Sequence, residues 1–159
     1  DYFEINLESI NQMIQLKNTS YILDDRVFQA MVNDVKYFHS INLISKDDVK
    51  VMKHQMHQML DDFEVIVANG KFENGNKVRV YLSNINFETT YCYYYGNSFK
   101  LSMIGVFGLN YITSLDERSL ERLKKWMQFL KKTSILISES GHLQRIEFFE
   151  KQHQYIDEL

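Results

Sequence analysis

Residues 87–95 read Phe-Glu-Thr-Thr-Tyr-Cys-Tyr-Tyr-Tyr, and this run is the strongest local constraint on the fold. Aromatic and β-branched residues favour strands because they pack well on a pleated, half-buried surface. A strand alternates faces, so Phe87, Thr89, Tyr91, Tyr93 and Tyr95 share one side and Glu88, Thr90, Cys92 and Tyr94 the other. A strand of this kind needs partners, and the flanking sequence supplies them. Lys77–Leu82 alternates with Val78, Val80 and Leu82 on one face. Phe99, Leu101 and Met103 repeat the pattern, and 104–107 is apolar on both faces. Gly75 after Asn74, and Asn97 after Gly96, are turn signals. A short apolar strand is also expected over 64–68, before Asn69-Gly70. These segments predict an antiparallel β-meander of about four strands.

Helical periodicity lies on both sides. Ile5, Leu7, Ile10, Met13 and Ile14 fit an amphipathic helix that Asn18, Thr19 and Ser20 end. Asp24 is placed to cap a second helix bearing Val27, Phe28, Met31, Val32, Val35 and Phe38. Ser45-Lys46-Asp47-Asp48 is a capping box with Asp in place of Glu, ahead of Val49, Met52, Met56, Met59 and Phe63. On the C-terminal side, Ser114-Leu115-Asp116-Glu117 is a full capping box. It opens a helix with Leu120, Leu123, Met127 and Leu130 inward and Trp126 and Phe129 beside them. A short strand over 134–138 follows. Ser140-Gly141 then starts a last helix with Leu143, Ile146, Phe149 and Ile156 inward. The expected fold class is therefore α+β: one domain over 1–159, its meander flanked by N-terminal and C-terminal helices. The chain opens on Asp1 without an initiator Met, which fits a longer protein cut short at its N-terminus.

At 159 residues a chain buries about 70% of its unfolded surface, so neither metal nor disulfide is required for stability. The lone Cys92 forbids an internal disulfide and fits a reducing, cytoplasmic setting. No stretch is long and apolar enough to cross a membrane. Proline is absent and Asn, Ile, Lys and Tyr are abundant, a bias of the microbial or viral AT-rich kind. The net charge of −3 argues against a dedicated duplex-binding module.

Three constellations carry chemistry. The tyrosine strand, with Tyr91, Tyr93 and Tyr95, could stack a flat ligand beside Arg79, Tyr81 and Lys100 on neighbouring strands. Packing within the sheet explains the same residues, and no RNP1-type pattern accompanies them. Arg118, Arg122, Lys125 and Lys132 line one side of the 115–132 helix, a surface for phosphate or an acidic partner. The same charges also complement the helix dipole. His54, His57 and Asp61 lie on one helical face and carry two ligand types that zinc accepts. No His-Glu-x-x-His, P-loop, dinucleotide or nucleophile-elbow motif is present.

The reading is a non-enzymatic regulatory or interaction domain, without a cofactor, that binds a protein partner or small ligand through its sheet and adjoining helices. Homo-oligomerisation is compatible with it. A metal-dependent enzyme built on His54, His57 and Asp61 is one alternative. A single-stranded nucleic-acid binder built on the tyrosine strand is the other, disfavoured by net charge.

Overall fold

The computed structural model describes residues 18–85, 89–94, 100–105, 108–112, 117–139 and 141–159. In chain order they form β1 (Asn18–Leu23), α1 (Val27–Ser40), α2 (Lys46–Asn69), β2 (Lys77–Leu82), β3 (Thr89–Tyr94) and β4 (Lys100–Gly105). Then come β5 (Gly108–Ile112), α3 (Glu117–Thr133), β6 (Ile135–Leu136) and α4 (His142–Asp157). The α+β class holds.

The expected four-strand antiparallel meander does not. The sheet is mixed, in the order β5-β4-β3-β1-β2-β6. β1 lies between β2 and β3, parallel to the first and antiparallel to the second. Asn18, Thr19 and Ser20, expected to end a helix, instead begin this strand. A parallel neighbour cannot be reached by a tight turn, so α1 and α2 form the crossover from β1 to β2. The helix expected over 5–16 and residues 114–116 of the expected capping box lie outside the described residues.

The strand expected over 64–68 is also corrected. α2 runs unbroken to Asn69 and stops at Gly70, whose φ of 64° is left-handed. Leu60 and Val67 are its buried positions, with Met56, Phe63 and Ile66 packed against the core. These residues recur in steps of three and four, which is a helical stripe and not a strand alternation. The Asp variant of the capping box is real. Ser45 Oγ accepts from the Asp48 N–H at 3.1 Å, and Asp48 accepts from the Ser45 N–H at 2.7 Å.

One face of the sheet carries Tyr21, Leu23, Val78 and Val80 into a core with α1, α2 and α4. A line of rings crosses this core. Tyr21 meets Phe63 edge-on at 6.0 Å, Phe63 meets Phe149 at 5.9 Å, and Phe149 meets Phe148 at 5.2 Å. On α4, Arg145, Phe148, Phe149, Gln152 and Ile156 face inward, whereas Leu143, expected inside, is exposed. Arg145 takes the inward position and donates to the Ile137 carbonyl at 2.9 Å.

Gln152 is fully buried and joins α4 to the start of α1. Its Oε1 accepts the Phe28 N–H at 3.2 Å, one of the donors that a helix N-terminus leaves unpaired. Its Nε2 donates to the Asp25 carbonyl at 2.9 Å. Asp24 accepts the Arg26 N–H at 2.5 Å, so it organises the turn ahead of α1, while a side chain far along the sequence caps the helix itself. Gln152→Leu keeps the volume but strands one buried donor and one buried acceptor. Denaturant unfolding of that variant is expected to show a loss of about 2–4 kcal/mol, against under ~1 kcal/mol for exposed Gln154→Leu.

Candidate functional site

The strand register decides which sequence candidates meet. Arg79 pairs with Ser20, and Ser20 pairs with Tyr93. Tyr81 pairs with Ile22, and Ile22 pairs with Tyr91. Four of the six expected sheet residues therefore occupy two adjacent rows. Lys100 falls instead in the Tyr94–Thr19–Val78 row, out of step with Arg79. Tyr95 lies outside the described residues. β1 separates β2 from β3, so Arg79 is not on a strand next to the tyrosine strand as the sequence reading expected.

The Arg79 and Tyr81 rows are covered at β1. Ile22 is 0% exposed and Ser20 is buried, and neither belongs to the rows of Val78 and Val80. α3 lies over this second face at the β2 side. Lys131 Nζ sits 5.5 Å above the Tyr81 ring, and Met127 and Leu130, one turn back on the same side, are buried. Burial pushes the Lys131 ammonium down to about 8, and the Arg79 charge pushes in the same direction.

The outer side of α3 has a different character. Arg118, Arg122, Lys125 and Lys132 are all exposed, as expected from their spacing. Between them stand Trp126 and Phe129, 45% and 49% exposed, with rings 5.6 Å apart and 23° from parallel. By sequence this pair flanks the buried stripe and is not among the expected surface residues. The signal was present: Met127 and Leu130 face the sheet, so residues one position earlier rotate toward Arg122 and Lys125. α3 holds six basic and two acidic residues, a net +4 in a chain of −3, so the remaining residues together carry −7.

The expected metal set is not gathered in its original form. His54 is exposed. His57 and Asp61 both reach α4 instead. His57 Nε2 lies 3.2 Å from Asp157 Oδ1, and His153 Nε2 lies 3.2 Å from Asp61 Oδ1. The two Nδ1 atoms are 2.7 Å apart, too close to admit a cation between them. Among the described residues, no group of three or more His, Cys, Asp or Glu side chains is arranged to hold a metal ion. Partial desolvation raises the Asp157 carboxyl, but the His57 hydrogen bond and charge, with Lys53, outweigh it and hold the group below its usual range.

The serine and histidine near the last helix have structural partners. Ser138 is buried and its Oγ accepts the Val80 N–H at 3.0 Å. His142 Nδ1 accepts from the Arg145 guanidinium at 2.9 Å. No helix among the described residues is long and apolar enough to cross a membrane.

The depressed Lys131 has a stability consequence. Between about 8 and the ordinary 10.5, the unfolded chain binds more protons than the folded one, so stability rises with pH across that window. Replacing Lys131 with Met is expected to remove this rise and to stabilise the protein below pH 8. Denaturant midpoints of both proteins on either side of that pH check it.

No protein-family model, no curated protein and no solved structure matches this chain.

Proposed function

We propose that this chain is a non-enzymatic interaction domain whose α3 outer face grips an acidic segment of a protein partner. The exposed Trp126–Phe129 pair among basic side chains carries the reading. Two stacked rings left half in water are apolar surface open to a partner. Trp and Arg are the residues that most often dominate binding energy at protein interfaces. Arg122, Lys125 and Lys132 around the rings add a positive rim that suits carboxylates and speeds encounter. The rest of the chain is acidic, which turns an acidic partner toward α3 and away from other faces.

The stacking-platform alternative has less support. An open platform across β1 would leave Ile22 accessible, and Ile22 is fully buried. Trp126 and Phe129 of α3 face water, as does Tyr37 of α1.

Trp126 is the only tryptophan, so its fluorescence reports on this face alone. An acidic peptide carrying one leucine or phenylalanine is expected to shift Trp126 emission to the blue, with affinity that falls as salt rises. Arg122→Glu with Lys125→Glu should weaken binding at least tenfold, on the order of 1.4 kcal/mol or more, and leave the melting temperature within a few degrees. An emission unchanged by acidic peptide but shifted by an oligothymidylate would overturn the protein-partner reading in favour of single strands.

A further inference from the structure

The contacts between His57 and His153 fix how many protons the pair must hold. The ring planes differ by 13°. Parallel faces cannot approach more closely than van der Waals contact at about 3.5 Å, yet the Nδ1 atoms are 2.7 Å apart. The rings therefore meet edge to edge, each Nδ1 aimed at the other. Each Nε2 faces a carboxylate oxygen, Asp157 for His57 and Asp61 for His153. An ionised carboxylate only accepts, so each Nε2 must bear hydrogen. Two neutral rings in that tautomer would oppose lone pairs across 2.7 Å. A third hydrogen between the Nδ1 atoms resolves this. Three hydrogens on two imidazoles make one imidazole and one imidazolium.

The surrounding charges balance at that count and at no other. Asp61 and Asp157 contribute two negative charges. Lys53, whose Nζ lies 3.5 Å from Asp157 Oδ1 and donates to the Asp157 carbonyl at 3.0 Å, contributes one positive. One shared proton brings the cluster to zero. Exposed His54 on α2 and exposed Glu150 on α4 flank it one turn away. α1, which also packs on α4, directs Lys36 to Glu158 at 2.8 Å and not to the pair. His57 and His153 keep 27% and 29% of their side-chain surface in contact with solvent, so protons can enter and leave.

We propose that His57 and His153 form a proton-binding latch that holds α2 against α4 only while the pair carries one extra proton. Loss of that proton opposes two lone pairs or breaks one carboxylate bond. Gain of a second places two cations at hydrogen-bond distance with no acceptor between them. The latch therefore closes at one protonation count and loosens on either side of it. It is independent of the α3 face.

A double-mutant cycle across pH tests the latch. Glutamine keeps a donor near the Nε2 position and has nothing at Nδ1, so H57Q and H153Q spare the carboxylate contacts and remove the central one. The coupling between the two sites in denaturant unfolding of the full chain is expected to be worth about tenfold in the folding constant at its maximum. It should fall toward none at acid and at alkaline pH. In the unsubstituted protein, nitrogen-15 spectra should show both Nδ1 atoms sharing one proton over the same window. Coupling that is flat with pH, or Nδ1 atoms that titrate independently, overturns the latch. The spectra decide the matter without the variants, should either fail to fold.

Discussion

The parallel pairing of β1 with β2 is the constraint on which the rest of the architecture depends. Six residues of each strand match in register, from Asn18 opposite Lys77 to Leu23 opposite Leu82. Two parallel strands must be joined by a crossover that clears the sheet. Residues 24–76 make that crossover as α1 and α2, and so bring two apolar helix stripes to one face. β1 then has its other edge free for β3, which pairs antiparallel and is extended outward by β4 and β5. The crossover also explains why helices crowd one face and why α3, after β5, occupies the other.

α4 completes the crowded face, and polar contacts fix its position. Apolar packing alone would let a helix slide along the groove between α1 and α2. Gln152 removes that freedom by meeting both a donor and an acceptor at the α1 N-terminus. Lys151 adds a 2.6 Å pair with Asp25 in the same place, and the Asp25 hydrogen bond raises the Lys151 ammonium above its usual range. At the other end of α4, Arg145 on the Ile137 carbonyl ties the helix to the strand before it. These contacts seat α4 so that His153 and Asp157 face His57 and Asp61 on α2.

The sequence was legible wherever a local rule acted alone. The Ser45 capping box, the alternation of Lys77–Leu82 and the helical stripe of α1 all follow from neighbours within a few residues. It misled where a local pattern had two solutions. Residues 64–68 are apolar enough for a strand, but their stripe continues from Met56 and Leu60, and a helix already under way costs less to extend than a strand to begin. Asn18, Thr19 and Ser20 are poor helix residues and were read as punctuation. Their strand exists because β2 and β3 flank it, and neither neighbour is near in sequence. His153 could not be joined to His57 before α4 was known to lie on α2. The Trp126–Phe129 surface is readable from the helical phase of Met127 and Leu130, although aromatic residues beside a buried stripe usually belong to the core.

The two faces of the sheet are built on opposite terms, and this bears on what each can do. The face under α1, α2 and α4 holds buried polar groups in internal contacts, with Gln152, Arg145 and Ser138 each partnered. That side is organised around internal contacts, and its histidine pair looks inward between two helices. α3 leaves two rings in water and concentrates positive charge there. An amphipathic helix kept only for the fold could have carried Gln or Glu at 126 and 129 and gained solubility and helix propensity. Exposed rings at those two positions cost solubility, which a surface covering them would offset. β6 joins α3 to α4, between the last turn of α3 and the Arg145 anchor of α4. α3 therefore lies next in sequence to the Arg145 anchor of α4, while the histidine pair lies more than two helical turns farther along that helix.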